Sequence, residues 1–272
     1  MIHKNYEVLS KIGQGKFGGI YQGLYKKKEK VAIKVENLDS EVKLLKHETT
    51  ILNYLYNKGS RNTPHVYYYG LYKGNPILIM PFYETTLESW NQNKSKNERN
   101  KLFVKMIEIL SIVHEFGVLH RDIKLDNFMI KNNDVYLIDF GLSTIYIDEE
   151  SKHCTKGPLS ECIIGTPKFI SIHIHNGEDA SRRDDLISLL YLFILLDTGS
   201  LLWENVHEDE NDSYTPLHIL NTKNQKRKLI KTYYQQTMEN KIMKELLDYA
   251  YFLDFEEDPR YQWMIMQLEE NI

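Results

Sequence analysis

His120-Arg121-Asp122-Ile123-Lys124-Leu125-Asp126-Asn127 is the stretch whose reading decides the fold. It is short and polar, and it lies between two apolar segments, Ile107 to Leu119 before it and Phe128 to Ile130 after it. A second acidic site, Asp139-Phe140-Gly141, follows twelve residues after Asn127. Val135-Tyr136-Leu137-Ile138 reads as a buried strand between them. Two carboxylates and one carboxamide are therefore expected on loops joined by a tight β-hairpin. Such an arrangement gathers hard oxygen ligands and a base into one small volume.

Upstream, Tyr6 to Ile12 alternates as a strand does, Gly13-Gln14-Gly15-Lys16-Phe17-Gly18-Gly19 follows, and Ile20-Tyr21-Gln22 opens a second β stretch. A dinucleotide-binding turn needs a helix after its glycines. Here a strand follows, so the glycines read as a flap whose backbone N–H groups can close over phosphates. Lys26 to Lys30 reads as a solvated hairpin tip. Val31-Ala32-Ile33-Lys34-Val35 is a third strand with one lysine inside an apolar run. A buried lysine needs a partner, and Glu48 supplies one from a helical stretch at about 41–56, where Leu44, Leu45, Ile51, Leu52 and Leu55 recur at helical spacing.

Tyr67 to Tyr72 and Ile77 to Met80 read as two further strands around a turn at Gly74-Asn75-Pro76. From Leu87 onward the pattern turns helical. Residues 1–80 are thus mostly strand with one helix, and 87–272 mostly helix. The expected body has two lobes within a single domain over 1–272, about 1–82 and 83–272, with a hinge near 81–86. Ser89 to Lys101 is polar enough for a surface loop, and Lys101 to Phe116 is an amphipathic helix stopped at Gly117. Residues 142–168 form a long loop, Ser181-Arg182-Arg183-Asp184-Asp185 caps an apolar helix over 186–196, and Glu208 to Asp212 is an acidic loop. Terminal helices then run to about Leu268, with Asp258-Pro259 opening the last.

Composition narrows the function classes. The 272 residues carry a formal net charge of -4, with 42% apolar and 26% charged residues, an ordinary globular balance. No whole-protein basic field points to nucleic acid. The 19 tyrosines read as buried rings with wet hydroxyls. Cys154 and Cys162 make no disulfide framework, and with His153, His173 and His175 they match no common zinc spacing. The N-terminus has no apolar signal core, and the longest apolar run, Leu186 to Leu196, is too short to span a bilayer. An intracellular protein, cytoplasmic or nuclear, is expected, with no membrane and no nucleic-acid partner.

Phosphoryl transfer from ATP needs phosphates held, metals bridging them and a hydroxyl aimed in line. One residue is available for each task. Gly13, Gly15 and Gly18 let the flap backbone approach phosphates. Lys34 suits the α and β phosphates while Glu48 holds its ammonium. Asp139 suits Mg²⁺ (or Mn²⁺ in its place), and Asn127 offers a neutral oxygen to a second ion. Asp122 is placed to accept or orient a hydroxyl proton, and Lys124 to neutralise charge on the transferred group. Each tripeptide alone is ambiguous. The joint occurrence of GQGKFG, VAIK, HRDIKLDN and DFG in this order is very specific.

On these motifs the chain resembles a eukaryotic-type protein kinase over essentially its whole length, an α+β fold with a small β-rich lobe holding one helix and a larger, mainly helical lobe. Within that superfamily it is similar to the casein kinase 1 group. GQGKFGGIY and HRDIKLDNF resemble that group's glycine and catalytic loops, with Leu125 where proline is usual, and SRRDDL at 181–186 is a distinctive further match. Ser171-Ile172-His173 stands where the group carries Ser-Ile-Asn in place of an A-P-E triplet. HNGEDASRR at 175–183 also resembles the vaccinia-related kinases, but Arg121 and Phe140 make casein kinase 1 the closer likeness.

The resemblance implies serine/threonine-directed transfer to protein substrates, with acidic or phosphorylated residues upstream of the target. It implies an ATP site lined by Ile12, Ile20, Ala32, Met80 and, at the hinge, Phe82. Lys168 and Lys226 match basic positions of a substrate-anion site, with lysine lacking arginine's planar fork. Asp185 is expected to hydrogen-bond the catalytic-loop backbone, and Leu190 stands where glycine is usual. A monomer is expected. The alternative is a catalytically weak or inactive kinase-fold scaffold, against which stand Lys34, Asp122 and Asp139, the residues such relatives lose. An unrelated ATP-grasping or small-molecule kinase is disfavoured by SRRDDL and by the spacing from Lys34 to Glu48.

Overall fold

Alternating side chains in the first eighty positions build one antiparallel sheet of five strands, ordered β1-β2-β3-β5-β4. The strands are β1 (Tyr6–Gly15), β2 (Gly18–Tyr25), β3 (Glu29–Glu36), β4 (Tyr68–Tyr72) and β5 (Asn75–Pro81). The computed structural model describes residues 5–15, 18–39, 43–91, 94–160, 162–201, 203 and 241–270. These fall into two compact units, the first drawn from Met1–Thr86 with Phe128–Ser143, the second from Leu87–Asn127 with Thr144–Ile272.

In the first unit the two sheet faces do different work. On one, Val31, Ile33, Ile77 and Ile79 are fully buried under Tyr6 and the half-buried Tyr21, Tyr25, Tyr67, Tyr68 and Tyr72. The Tyr6 ring centroid is 5.1 Å from that of Tyr25 and 6.4 Å from that of Tyr68. Much of the tyrosine excess is thus a roof of rings over aliphatic rungs, with hydroxyls at the wet rim, as in the bond from Tyr67 OH to Glu29 at 3.4 Å. The register sets the other face: Ile20 stands opposite Lys34, and Ala32 opposite Met80, so all four share it.

Helix α1 (Leu45–Lys58) buries Leu45, Glu48, Ile51, Leu52 and Leu55. It begins later than the apolar spacing predicts, because its start is held from the sheet. The Glu36 carboxylate, at the end of β3, accepts from Leu44 N–H at 2.7 Å and Leu45 N–H at 3.0 Å. That satisfies two of the orphan donors of the first turn with a negative charge. The turn between β4 and β5 is Lys73-Gly74, both with positive φ (50° and 84°). Asn75, expected in the turn, instead pairs with Tyr72 and opens β5. The hairpin of β8 (Phe128–Lys131) and β9 (Asp134–Leu137) turns through Asn132-Asn133, at φ 52° and 63°, the left-handed pair that a two-residue hairpin loop requires. The short strand β6 (Thr85–Thr86) pairs with β8.

The second unit is mainly helical. The expected surface loop from Ser89 to Lys101 is largely helix: α2 covers Leu87–Asn91 and α3 covers Lys96–Glu115. Ser95 caps α3. Its hydroxyl accepts from Glu98 N–H at 3.3 Å, and Glu98 Oε2 accepts from Ser95 N–H at 3.0 Å. This capping box outweighs the polarity of the segment. Gly117 stops α3 at φ +77°, where a Cβ would lie 2.3 Å from Ile147 Cδ1. β7 (Val118–Leu119) then pairs with β10 (Thr144–Ile145).

α4 (Ile172–His175) precedes α5 (Arg182–Thr198), the buried axis of this unit, which ends at Gly199 with φ 81°. Around it pack α3, with Phe103 and Phe193 rings 4.5 Å apart, and α6 (Lys241–Phe252). α7 (Tyr261–Glu269) packs on α3. No described helix is long and apolar enough to cross a membrane. The acidic stretch Glu208 to Asp212 lies outside the described residues.

Leu190, where the resemblance leads one to expect glycine, is fully buried in α5. Leu190→Ala therefore opens a cavity and is expected to destabilise the protein by about 2–5 kcal/mol. Urea unfolding should show a lower midpoint at unchanged slope.

Candidate active site

The first unit brings Lys34, Glu48 and Asp139 together. Lys34 Nζ donates to Glu48 Oε1 at 2.6 Å and to Asp139 Oδ1 at 2.8 Å. The Lys34 and Glu48 side chains are 15% and 3% exposed, whereas that of Asp139 is 44% exposed. Burial works to lower the Lys34 ammonium, but the two carboxylates outweigh it and raise it, so Lys34 stays charged. Burial pushes the Glu48 carboxyl up, opposed by Lys34 and by the Phe140 N–H. Asp139 adopts the left-handed conformation, φ 66° and ψ 68°, before a turn whose Phe140 is fully buried. A non-glycine residue held there marks a position set by its surroundings.

The glycine flap is the β1–β2 hairpin. Gly13 pairs with Ile20 and Gly15 with Gly18, and an irregularity between Lys11 and Gly13 leaves Ile12 exposed. A Cβ on Gly18 would lie 1.8 Å from the Val35 carbonyl oxygen, so only glycine lets the flap lie this close to β3. Met80 is buried beside Ala32, and Phe82 is half-buried with Lys30 Nζ 5.6 Å from its ring centroid.

The second unit gathers Asp122, Lys124 and Asn127. The backbone delivering them is strained at Arg121, whose φ is 64°. Asp185, at the start of α5, meets it as expected: its carboxylate accepts from His120 N–H at 2.7 Å and from Arg121 N–H at 2.8 Å. The Asp122 carboxylate is nearly buried and accepts from Lys124 Nζ at 2.7 Å. Asn127 Nδ2 donates to the Asp122 carbonyl at 2.7 Å and lies 3.3 Å from Oδ2. These contacts fix which end of the amide is the nitrogen and which the oxygen.

Two contributors escaped the sequence reading. Thr166 Oγ1 donates to Asp122 Oδ1 at 2.6 Å, and Gly165 brings it there: a Cβ on that glycine would lie 2.6 Å from the Arg121 carbonyl oxygen. Gly165-Thr166 could have flagged the contact, but nothing in a dipeptide names its distant partner. The other is Glu36, whose cap on α1 ties the helix bearing Glu48 to the strand bearing Lys34. Of the two expected anion-site lysines, Lys168 is half-buried with Nζ 5.4 Å from the Phe169 ring centroid. Lys226 lies outside the described residues. Cys154 and Cys162 are both exposed.

Comparison with known proteins fits this geometry. The family model described as Protein kinase domain matches residues 6–262. Casein kinase I homolog 2 of Schizosaccharomyces pombe is 33% identical over 218 residues, 76% of this chain and 50% of its own length. Casein kinase I homolog 3 of Saccharomyces cerevisiae is 29% identical over 316 residues, covering 98% of this chain and 59% of its own. Casein kinase I homolog 3 of S. pombe is 30% identical over 272 residues, covering 96% and 60%. The chain thus spans between half and three fifths of the length of these relatives.

Removing the shared cation leaves Glu48 as an uncompensated buried charge. Lys34→Met is expected to cost about 3 kcal/mol of stability. Lys34→Met with Glu48→Gln should regain part of that loss in urea titrations. An additive double variant would mean that the two side chains do not stabilise each other.

Proposed function

The chain belongs to the protein kinase family, and from that premise we propose that it is a serine/threonine protein kinase, transferring the γ-phosphoryl group of ATP to a protein hydroxyl. The observation that carries this reading is the Asp122 carboxylate, ringed by Lys124, Asn127 and Thr166 at hydrogen-bond range. A substrate hydroxyl that replaces one of these donors meets an acceptor already oriented for its proton. The name shared by the relatives, casein kinase I homolog, supports the serine/threonine assignment.

In this reading the substrate oxygen attacks the γ-phosphorus in line. Its bond to phosphorus forms as the bond to the β–γ bridging oxygen breaks, the electron pair leaves with ADP, and the hydroxyl proton passes to Asp122. Lys124, two residues on, offsets charge on the transferred group. Lys34 holds the α and β phosphates, its ammonium steered by Glu48, and the glycine-flap backbone closes over them. The Asp139 carboxylate, its side chain 44% exposed, suits a hard divalent cation, and Asn127, whose amide nitrogen is engaged by Asp122, has a neutral oxygen suited to a second one. Mg²⁺ held by Asp139, and a second ion held by Asn127, would supply charge neutralisation at the phosphates. Ile12, Ile20, Ala32, Met80 and the Phe82 backbone would take the adenine. Lys168, with Lys226, would favour substrates that are acidic or phosphorylated upstream of the target.

Radiolabelled ATP and casein test the assignment. Asp122→Ala is expected to lower phosphate incorporation by about 10²–10⁴-fold. Equal incorporation by variant and wild type would defeat the role given to Asp122. A peptide pair with and without phosphoserine upstream of the target tests the substrate preference. The phosphorylated member should be favoured, and Lys168→Ala should narrow the difference.

A further inference from the structure

The Asp185 carboxylate is held by more than the backbone it supports. His114, in the last turn of α3, is fully buried, and its Nε2 lies 3.1 Å from Asp185 Oδ2. Its other ring nitrogen, Nδ1, meets the hydroxyl of Tyr261 at the start of α7. The same histidine is fixed by its carbonyl, which accepts from Tyr146 OH at 2.6 Å. Arg182 donates to that Tyr146 hydroxyl at 3.4 Å, to the Glu256 carbonyl at 2.5 Å, and to Asp258. The segment that carries Tyr261 is therefore clamped to the start of α5, beside Asp185.

The proton positions in this chain follow from chemistry. Burial works to raise the Asp185 carboxyl, but the bonds from His114 and the His120 N–H outweigh it, so Asp185 is an ionised, acceptor-only group. Such a neighbour favours hydrogen on the ring nitrogen that faces it. Burial lowers the His114 imidazole, favouring the neutral ring with a single proton. That proton is on Nε2, and Nδ1 is an acceptor. Burial holds Tyr261 well above the ordinary phenol range, so its hydroxyl keeps the hydrogen it donates.

We infer that Tyr261 is a positioning residue for the catalytic loop: by donating to His114 Nδ1 it keeps the ring proton on Nε2, where it completes the set of donors that holds Asp185 against the His120–Arg121 backbone. This rests on the kinase reading only for its effect on turnover. Without the hydroxyl, only Asp185 still favours the Nε2 proton, and the Nδ1 tautomer, which turns the Nε2 lone pair toward a carboxylate, gains population. Asp185 then loses a donor, and the strained Arg121 peptide loses part of its anchor.

The test combines selective ¹⁵N labelling of histidine in the full chain with steady-state kinetics. In the wild type, His114 Nε2 should give a pyrrole-type shift and Nδ1 a pyridine-type shift. Tyr261→Phe should mix the two tautomers and lower kcat about tenfold, the scale of one lost buried hydrogen-bond partner, with KM for ATP unchanged. His114→Gln supplies an amide donor with no tautomer to choose, so adding Tyr261→Phe to it should cause no further fall in kcat. The inference is overturned if the wild-type ring carries its proton on Nδ1 or on both nitrogens. It is equally overturned if Tyr261→Phe lowers only the melting temperature, or lowers kcat as much in the glutamine background as alone. A wild-type chain without transferase activity would defeat the kinase reading, and the ring-nitrogen shifts on the same sample would then decide the tautomer by themselves.

Discussion

A lysine ammonium shared by two carboxylates sets the geometry of the first unit. Lys34 projects from β3, Glu48 from α1, and Asp139 from the turn after β9, so one cation ties three elements distant in the chain. With Lys34 and Glu48 so little exposed, each is costly to leave unpaired. Glu36 works to the same end. It stands two residues after Lys34 and caps α1 through Leu44 and Leu45 N–H, three residues before Glu48 at the nearer of them. Strand and helix are thereby fixed together twice, once by a backbone cap and once by an ion pair. The more exposed Asp139 is the member of the triad most accessible to an incoming cation.

Adjacent carboxylates anchor the second unit, and their environments divide their tasks. Asp184 accepts from Ser171 Oγ at 2.5 Å and from Ser181 N–H at 2.8 Å, which joins the start of α4 to that of α5. Burial pushes its carboxyl up against those donors. Asp185 accepts from the His120 and Arg121 N–H groups and is held low by what it accepts. The two arginines before them are also buried: Arg182 donates to Glu256 and Asp258, and Arg183 to Glu178 at 2.7 Å and to the Leu253 carbonyl at 3.3 Å. Ser181-Arg182-Arg183-Asp184-Asp185 is thus a junction whose four charged side chains tie the start of α5 to several other parts of the unit.

Local chemistry made much of this legible. The strand alternation, the glycine flap, the lysine inside an apolar run and the helical spacing of α1 are short-range patterns, and each gave its element to within a few residues. Where the reading failed, another local rule was stronger. Ser95 and Glu98 form a capping box inside a segment judged by polarity alone, and Asn75 belongs to a strand because Lys73-Gly74 already makes the turn. The contacts that escaped altogether are long-range. Thr166 reaches Asp122 across forty-four positions, and Tyr261 reaches His114 across one hundred and forty-seven. No periodicity encodes such pairings, because they depend on how helices and loops stack.

Positive φ at Arg121 and at Asp139 binds these observations together. Neither residue is glycine, and such a conformation costs on the order of 1–3 kcal/mol unless the surroundings enforce it. At Arg121 the enforcing group is Asp185, which takes the N–H of that residue and of the one before it. At Asp139 it is Lys34, which holds the side chain while Phe140 is buried behind it. In both places a buried charge, itself paired, turns a peptide that would otherwise relax. The neighbouring side chain is thereby held out from the backbone, Asp122 in one case and Asp139 itself in the other. The orientation of both carboxylates is thus built into the fold and needs no ligand to impose it.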